Sequence, residues 1–125
     1  MEELLGIRVP QSLHAEQAVI GSMLIDPDCV ADVLKDARAE HFYNKNNRDI
    51  FETIYAMFNY GMTIDPLTMM EQMRERGVFQ EESTRAYVKE VMDQTPTSAN
   101  VSEYVSIIRD KALQRSLGQV ASGIT

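Results

Sequence analysis

The sequence predicts an all-helical fold, and three observations carry that prediction. Apolar residues recur at three- and four-residue spacing along most of the chain. Eight methionines, no tryptophan and few β-branched runs favour helix over sheet. Asp-Pro pairs and single glycines punctuate the apolar segments where helices would start and stop. A chain of 125 residues has room for one compact core.

Residues 1–11 read as a flexible lead-in ending at Pro10, after which Ser12 can cap a first helix over about 13–25. Glu16 falls in its first turn, where the helix dipole favours an acid. Leu13, Val19, Ile20, Met23 and Leu24 give it a wide apolar face. Gly21, inside a helix where it costs about 1 kcal/mol against alanine, suggests close approach of another helix. Asp26-Pro27 starts a short second helix over roughly 27–35, with Val30, Val33 and Leu34 inward. A loop over 36–44 carries Phe42-Tyr43 and ends at the capping residue Asn44.

The third helix, about 45–60, has Ile50, Phe51, Ile54, Tyr55, Met57 and Phe58 at helical spacing, with Gly61 as its left-handed stop. Asp65-Pro66 caps a fourth helix, 66–76, that packs through Leu67, Met70 and Met73 and stops at Gly77. Ser83 or Thr84 opens a fifth helix to about 93. Thr95-Pro96-Thr97-Ser98 then breaks the chain and caps a long sixth helix from about 98 towards 121. Its apolar stripe runs Val101, Tyr104, Val105, Ile108, Leu113, Leu117, Val120 and Ile124. That stripe outlasts the body expected to cover it. The expected architecture is a compact five-helix head, 12–97, and a protruding arm, 98–125, with an internal boundary at 94–97.

The net charge of −7 is uneven: residues 98–125 carry +1 and residues 1–97 carry −8. An acidic body is poorly suited to holding a phosphate backbone. With Cys29 as the single cysteine, neither a disulfide framework nor a cysteine-rich zinc site can form, which suits a reducing cytoplasm. No apolar stretch is long enough to span a bilayer, and the N-terminus is acidic where a signal peptide would be basic. No catalytic, cofactor-binding or metal-ligating residue is expected. None of the six glycines fits a phosphate-binding loop. His14-Ala15-Glu16 matches half of a zinc-deaminase signature whose cysteine half is absent. His41 has neither a nucleophile nor a metal partner near it in sequence. Asp65, Glu71 and Glu75 read as a cap and a solvated face, and Cys29 as a small buried hydrophobe.

The uncovered stripe is what remains informative. Exposed apolar area costs roughly 25 cal/mol per Å² relative to burial, so the arm either pairs with another chain or segment or folds back on its own head. Tyr104, Ile108, Leu113, Leu117, Val120 and Ile124 are the interface residues expected from pairing.

The series Pro10, Ala15-Glu16, Val19-Ile20-Gly21, Phe42-Tyr43, Arg48, Ile50-Phe51, Ile64-Asp65, Pro96-Thr97, Asn100, Tyr104, Ile108, Lys111 and Arg115 resembles the N-terminal domain of bacterial DnaB-type replicative DNA helicases. The resemblance covers the chain from about residue 8 onward, through the order and spacing of these residues rather than any single motif. It implies that the arm is the first half of a helical hairpin, and that the chain is a fragment whose second hairpin helix, linker and motor domain lie beyond Thr125. It further implies a hexameric, ATP- and Mg-dependent helicase that unwinds DNA 5′→3′ and contacts DNA mainly through the motor. The N-terminal domains would form a collar, pairing as a trimer of dimers, docking primase and in some bacteria answering to a loader. By the same resemblance Asn100 and Arg115 help fix the arm and its contacts. The helicase-binding domain of a primase has a similar helical head and hairpin and stands as the second reading. A small enzyme using His14, Glu16 and His41 is a third.

Overall fold

The computed structural model describes residues 9–121, with side chains as far as residue 118, and is all-helical over that span. The helices are α1 (Leu13–Ile25), α2 (Val30–Asp36), α3 (Lys45–Asn59), α4 (Pro66–Glu75), α5 (Glu81–Asp93) and α6 (Val101–Ala121). Two short 3₁₀ turns, Pro27–Cys29 and Ala39–His41, sit on either side of α2.

α1 lies at the centre and touches α2, α3, α5 and α6. Its residues Ala15, Glu16 and Ala18 through Leu24 are all buried, so it is apolar nearly all round rather than along one stripe. Phe42, Phe51, Ile50, Ile54 and Met57 close the core on the α3 side, with the rings of Phe42 and Phe51 4.7 Å apart. Each such side chain contributes roughly 1.5–3 kcal/mol on burial. Met69, Met70 and Met73 pack α4 into the same core.

The helix boundaries follow local chemistry. Ser12 accepts the Ala15 N–H at 3.2 Å, and Asn44 accepts the Asn47 N–H at 3.2 Å. Asp65 accepts both the backbone N–H and the hydroxyl of Thr68, at 2.9 Å each. Gly61 (φ +69°) and Gly77 (φ +77°) take the left-handed conformation that ends α3 and α4. At Gly21 an added Cβ would lie 2.3 Å from Thr95 Oγ1 and 2.9 Å from Thr95 Cβ. The missing side chain is what lets the segment just past α5 lie against α1.

Three expected starts move. The second helix is split, because Asp26 makes no side-chain cap and Pro27–Cys29 is 3₁₀ before α2 begins at Val30. The fifth helix opens at Glu81: the Thr84 hydroxyl accepts the Gln80 N–H at 2.9 Å and Ser83 donates back to the Gln80 carbonyl. These bonds, both from the first turn of α5, hold Gln80 at the mouth of the helix. Ser98 does not cap the sixth helix. Its hydroxyl donates to Asp26 Oδ2 at 2.7 Å, tying the 95–100 segment to the end of α1, and α6 begins at Val101.

Candidate functional site

The apolar stripe of α6 divides into two parts with different surroundings. Val101 (9% exposed), Val105 (5%) and Ile108 (1%) are buried in the chain's own core, and half-buried Tyr104 packs beside them with its ring edge-on to His14 at 5.5 Å. The inner half of α6 is therefore packed into the head, and the expectation that Ile108 serves an interface is overturned. A residue with no accessible surface cannot meet a second chain without opening the core. Tyr104 is committed in the same direction by its packing.

Farther along, Leu113 and Leu117 are 56% and 58% exposed. They are four residues apart and share one face of the helix. Val120 belongs to α6 but its side chain lies outside the described residues, as does Ile124 altogether. Leu113 and Leu117 are thus apolar side chains that the head leaves more than half exposed.

Arg115 holds that outer half to the head. Its guanidinium donates to the Pro10 carbonyl at 2.8 Å, to the His41 carbonyl at 3.2 Å and to the Glu40 carbonyl at 3.5 Å, and it lies 5.4 Å from the centre of the Tyr43 ring. The lead-in, the 39–41 turn and α6 thus meet at one side chain. Asn100 contributes its backbone carbonyl, which accepts from Glu103 and Tyr104 in the first turn of α6. Between the 39–41 turn and α6 runs a groove of about 480 Å³, lined by Glu40, His41, Arg109, Asp110, Leu113 and Ser116 among others.

Glu16, expected only as a dipole-favoured acid, is 1% exposed and organises the 43–47 segment. Its Oε2 accepts the Tyr43 N–H at 2.7 Å; its Oε1 accepts the Asn44 N–H at 3.2 Å and Asn47 Nδ2 at 2.9 Å. Asn47 in turn accepts the Tyr87 hydroxyl, and that hydroxyl accepts Gln17 Nε2 at 3.2 Å. Arg48 reaches back to the carbonyls of Phe42 and Tyr43. Both carboxylate oxygens of Glu16 are occupied in holding the start of α3, which leaves no free acid for chemistry beside His14. Sequence reasoning missed Asn47, although its spacing from Ile50, Phe51 and Ile54 places it on the buried face of α3.

Cys29 is half-buried, and its thiol donates weakly to the Ser22 carbonyl at 3.5 Å. Burial, reinforced by Asp26 and Asp32, pushes its pKa up to about 11, away from the thiolate. Among the described residues no group of three His, Cys, Asp or Glu side chains is placed to hold a metal ion, and no helix is long and apolar enough to cross a membrane.

The family model of the DnaB-like helicase N-terminal domain matches residues 8–110. The chain belongs to this family. Its relatives include the replicative DNA helicases DnaB of Mycobacterium leprae, 31% identical over 95% of this chain, and of Pasteurella multocida, 34% identical over 95%. This chain spans only 20% and 26% of those two proteins, a fifth to a quarter of their length. The N-terminal domain of DnaB helicase from Mycobacterium tuberculosis has the same fold, with a TM-score of 0.86, 32% identity, and coverage of 92% of this chain and 83% of that one. The N-terminal domain of DnaB helicase from Helicobacter pylori, whose structure was described together with its interactions with primase, matches at a TM-score of 0.75. At 19% identity, over 89% of this chain and 86% of that one, that likeness shows the fold alone. Of the three readings of the sequence, the DnaB-type N-terminal domain is the one these relationships support.

Proposed function

We propose that this DnaB-type domain is the collar of a hexameric replicative DNA helicase, where it mediates ring assembly and docks primase during DNA replication. The observation that carries the reading is the divided stripe of α6: Val101, Val105 and Ile108 anchor the helix in the head, while Leu113 and Leu117 are presented outward. A helix anchored in the head that presents exposed leucines farther along is built to meet a partner. The partner proposed for it is a second copy, joined through the outer half of α6 and, by the same stripe, Val120 and Ile124. Three such dimers would complete the ring. Family membership supports the helicase setting, and the primase interactions described for the Helicobacter pylori domain support primase as a docking partner.

In this reading ATP hydrolysis, Mg binding, 5′→3′ unwinding and most DNA contact belong to a motor domain following the collar. The net charge of −8 on residues 1–97 suits protein contact better than phosphate contact. A helicase loader is a further partner in those bacteria that use one, and the setting is the bacterial cytoplasm. Titration calorimetry with the primase encoded in the same genome tests the docking role. Saturable heat is expected, with no ATP hydrolysis by the domain alone; absence of binding up to about 100 µM primase would contradict it.

A further inference from the structure

The 38–41 turn carries a feature that neither assembly nor primase docking requires. His41 Nδ1 accepts the backbone N–H of Arg38 at 3.0 Å, while the His41 N–H donates back to the Arg38 carbonyl at 3.0 Å. The imidazole can accept at Nδ1 only when that nitrogen is unprotonated, so the bond selects the neutral ring with its hydrogen on Nε2. The same residue's carbonyl is one of the acceptors of Arg115, the side chain that ties the outer half of α6 to the head.

We propose that the 38–41 turn and Arg115 form a proton-sensitive latch, closed when His41 is neutral, that holds the outer half of α6 against the head. Protonating Nδ1 sets one donor against another at the Arg38 N–H. The turn then loses its reciprocal bond, the Glu40 and His41 carbonyls lose their fixed positions, and Arg115 loses two of its three acceptors. Leu113 and Leu117 lie on either side of Arg115 in α6, so opening the latch changes how they are presented. The device does not depend on which partner those leucines meet.

The surrounding charges agree with a closed, neutral latch. From its own turn the ring has Arg38 and Glu40; from α6 it has Arg109, Asp110 and Arg115; from α3, Arg48 and Glu52 flank the loop and turn. Arg109 is itself only loosely paired with Asp36 of α2, at 3.8 Å. Burial is the main cause holding the imidazole below its usual pKa; Glu40 pulls it back up, and Arg109, Arg38 and Arg115 push it further down. A depressed folded-state pKa means the neutral ring's contribution is complete above the unfolded value of about 6.5 and is lost as pH falls through the folded value.

The test is amide hydrogen exchange along α6 in the wild-type domain, corrected for intrinsic exchange, from about pH 7.5 to about pH 5. Protection of residues 112–118 should fall roughly threefold or more across this range while that of 101–108 holds. His41→Asn, whose Oδ1 can accept the same N–H without titrating, should keep protection and lose the pH step. Arg115→Gln should lower protection of 112–118 at every pH. The other histidine, His14, serves as the control: His14→Gln should leave the step intact. A flat wild-type profile, or a step that survives in His41→Asn, overturns the latch.

Discussion

Replacing Glu16 by alanine removes the acceptor for three donors at once. The N–H groups of Tyr43 and Asn44 and the amide of Asn47 would lose the acceptor they share in a site only 1% exposed at its centre. A buried donor left unsatisfied costs roughly 1–3 kcal/mol, and hydrogen bonds to a charged group lie at the upper end. Water entering the space would recover part of that. The expected loss is therefore about 3–5 kcal/mol, a large share of the roughly 5–15 kcal/mol typical of a domain. At an unfolding entropy near 2.1 cal/mol/K per residue, 125 residues convert each kcal/mol into roughly 4 °C, or a drop of about 12–20 °C in Tm. Glu16→Gln keeps one acceptor and turns the other position into a donor, so its loss should be smaller, about 2 kcal/mol. Urea unfolding followed by circular dichroism measures both variants. A loss under about 1 kcal/mol for Glu16→Ala would refute the claim that this carboxylate organises the start of α3.

Gly21→Ala gains about 1 kcal/mol of helix propensity but drives a methyl group into Thr95 Oγ1 and Cβ, at an overpacking cost of about 1–3 kcal/mol. A net loss in urea midpoint is expected, and Thr95→Gly in the same chain should recover part of it in a double-mutant cycle. Asp65 is held below its usual pKa chiefly by the Thr68 backbone N–H and then by the Thr68 hydroxyl. Its contribution is thus present above about pH 3.8 and lost as pH falls through the lower folded value. The stability difference between wild type and Asp65→Ala should accordingly be widest near neutral pH and narrow steadily in acid, as read by denaturant titrations at several pH values.

The parts of the fold legible in the sequence are those decided within a few residues. Ser12, Asn44 and Asp65 cap helices because their side chains reach an N–H three residues on, and Gly61 and Gly77 end helices because they accept a positive φ. Gly21 also read correctly, since a helix-interior glycine costs enough to need a reason. Ser98 misled because its hydroxyl found a partner 72 residues away in Asp26, which no local pattern records. The stripe of α6 was visible as a stripe, but periodicity cannot say which portion the chain's own head will cover. Ile108 and Leu117 look alike in sequence and differ because only the first lies within reach of the core. Glu16 was legible as a first-turn acid and illegible as a staple, because its donors come from 27 to 31 residues away.

Sedimentation equilibrium of the wild-type domain beside Leu113→Glu/Leu117→Glu tests the proposed assembly role most directly. Pairing through α6 would bury these two leucines on each of two chains. Since each is already about half covered, each contributes roughly 1 kcal/mol, and the double substitution should weaken dimerisation about a thousandfold. The account predicts a concentration-dependent dimer for the wild type and a monomer for the variant, with unchanged helical content. A wild-type domain that stays monomeric, or a dimer indifferent to both glutamates, would contradict it.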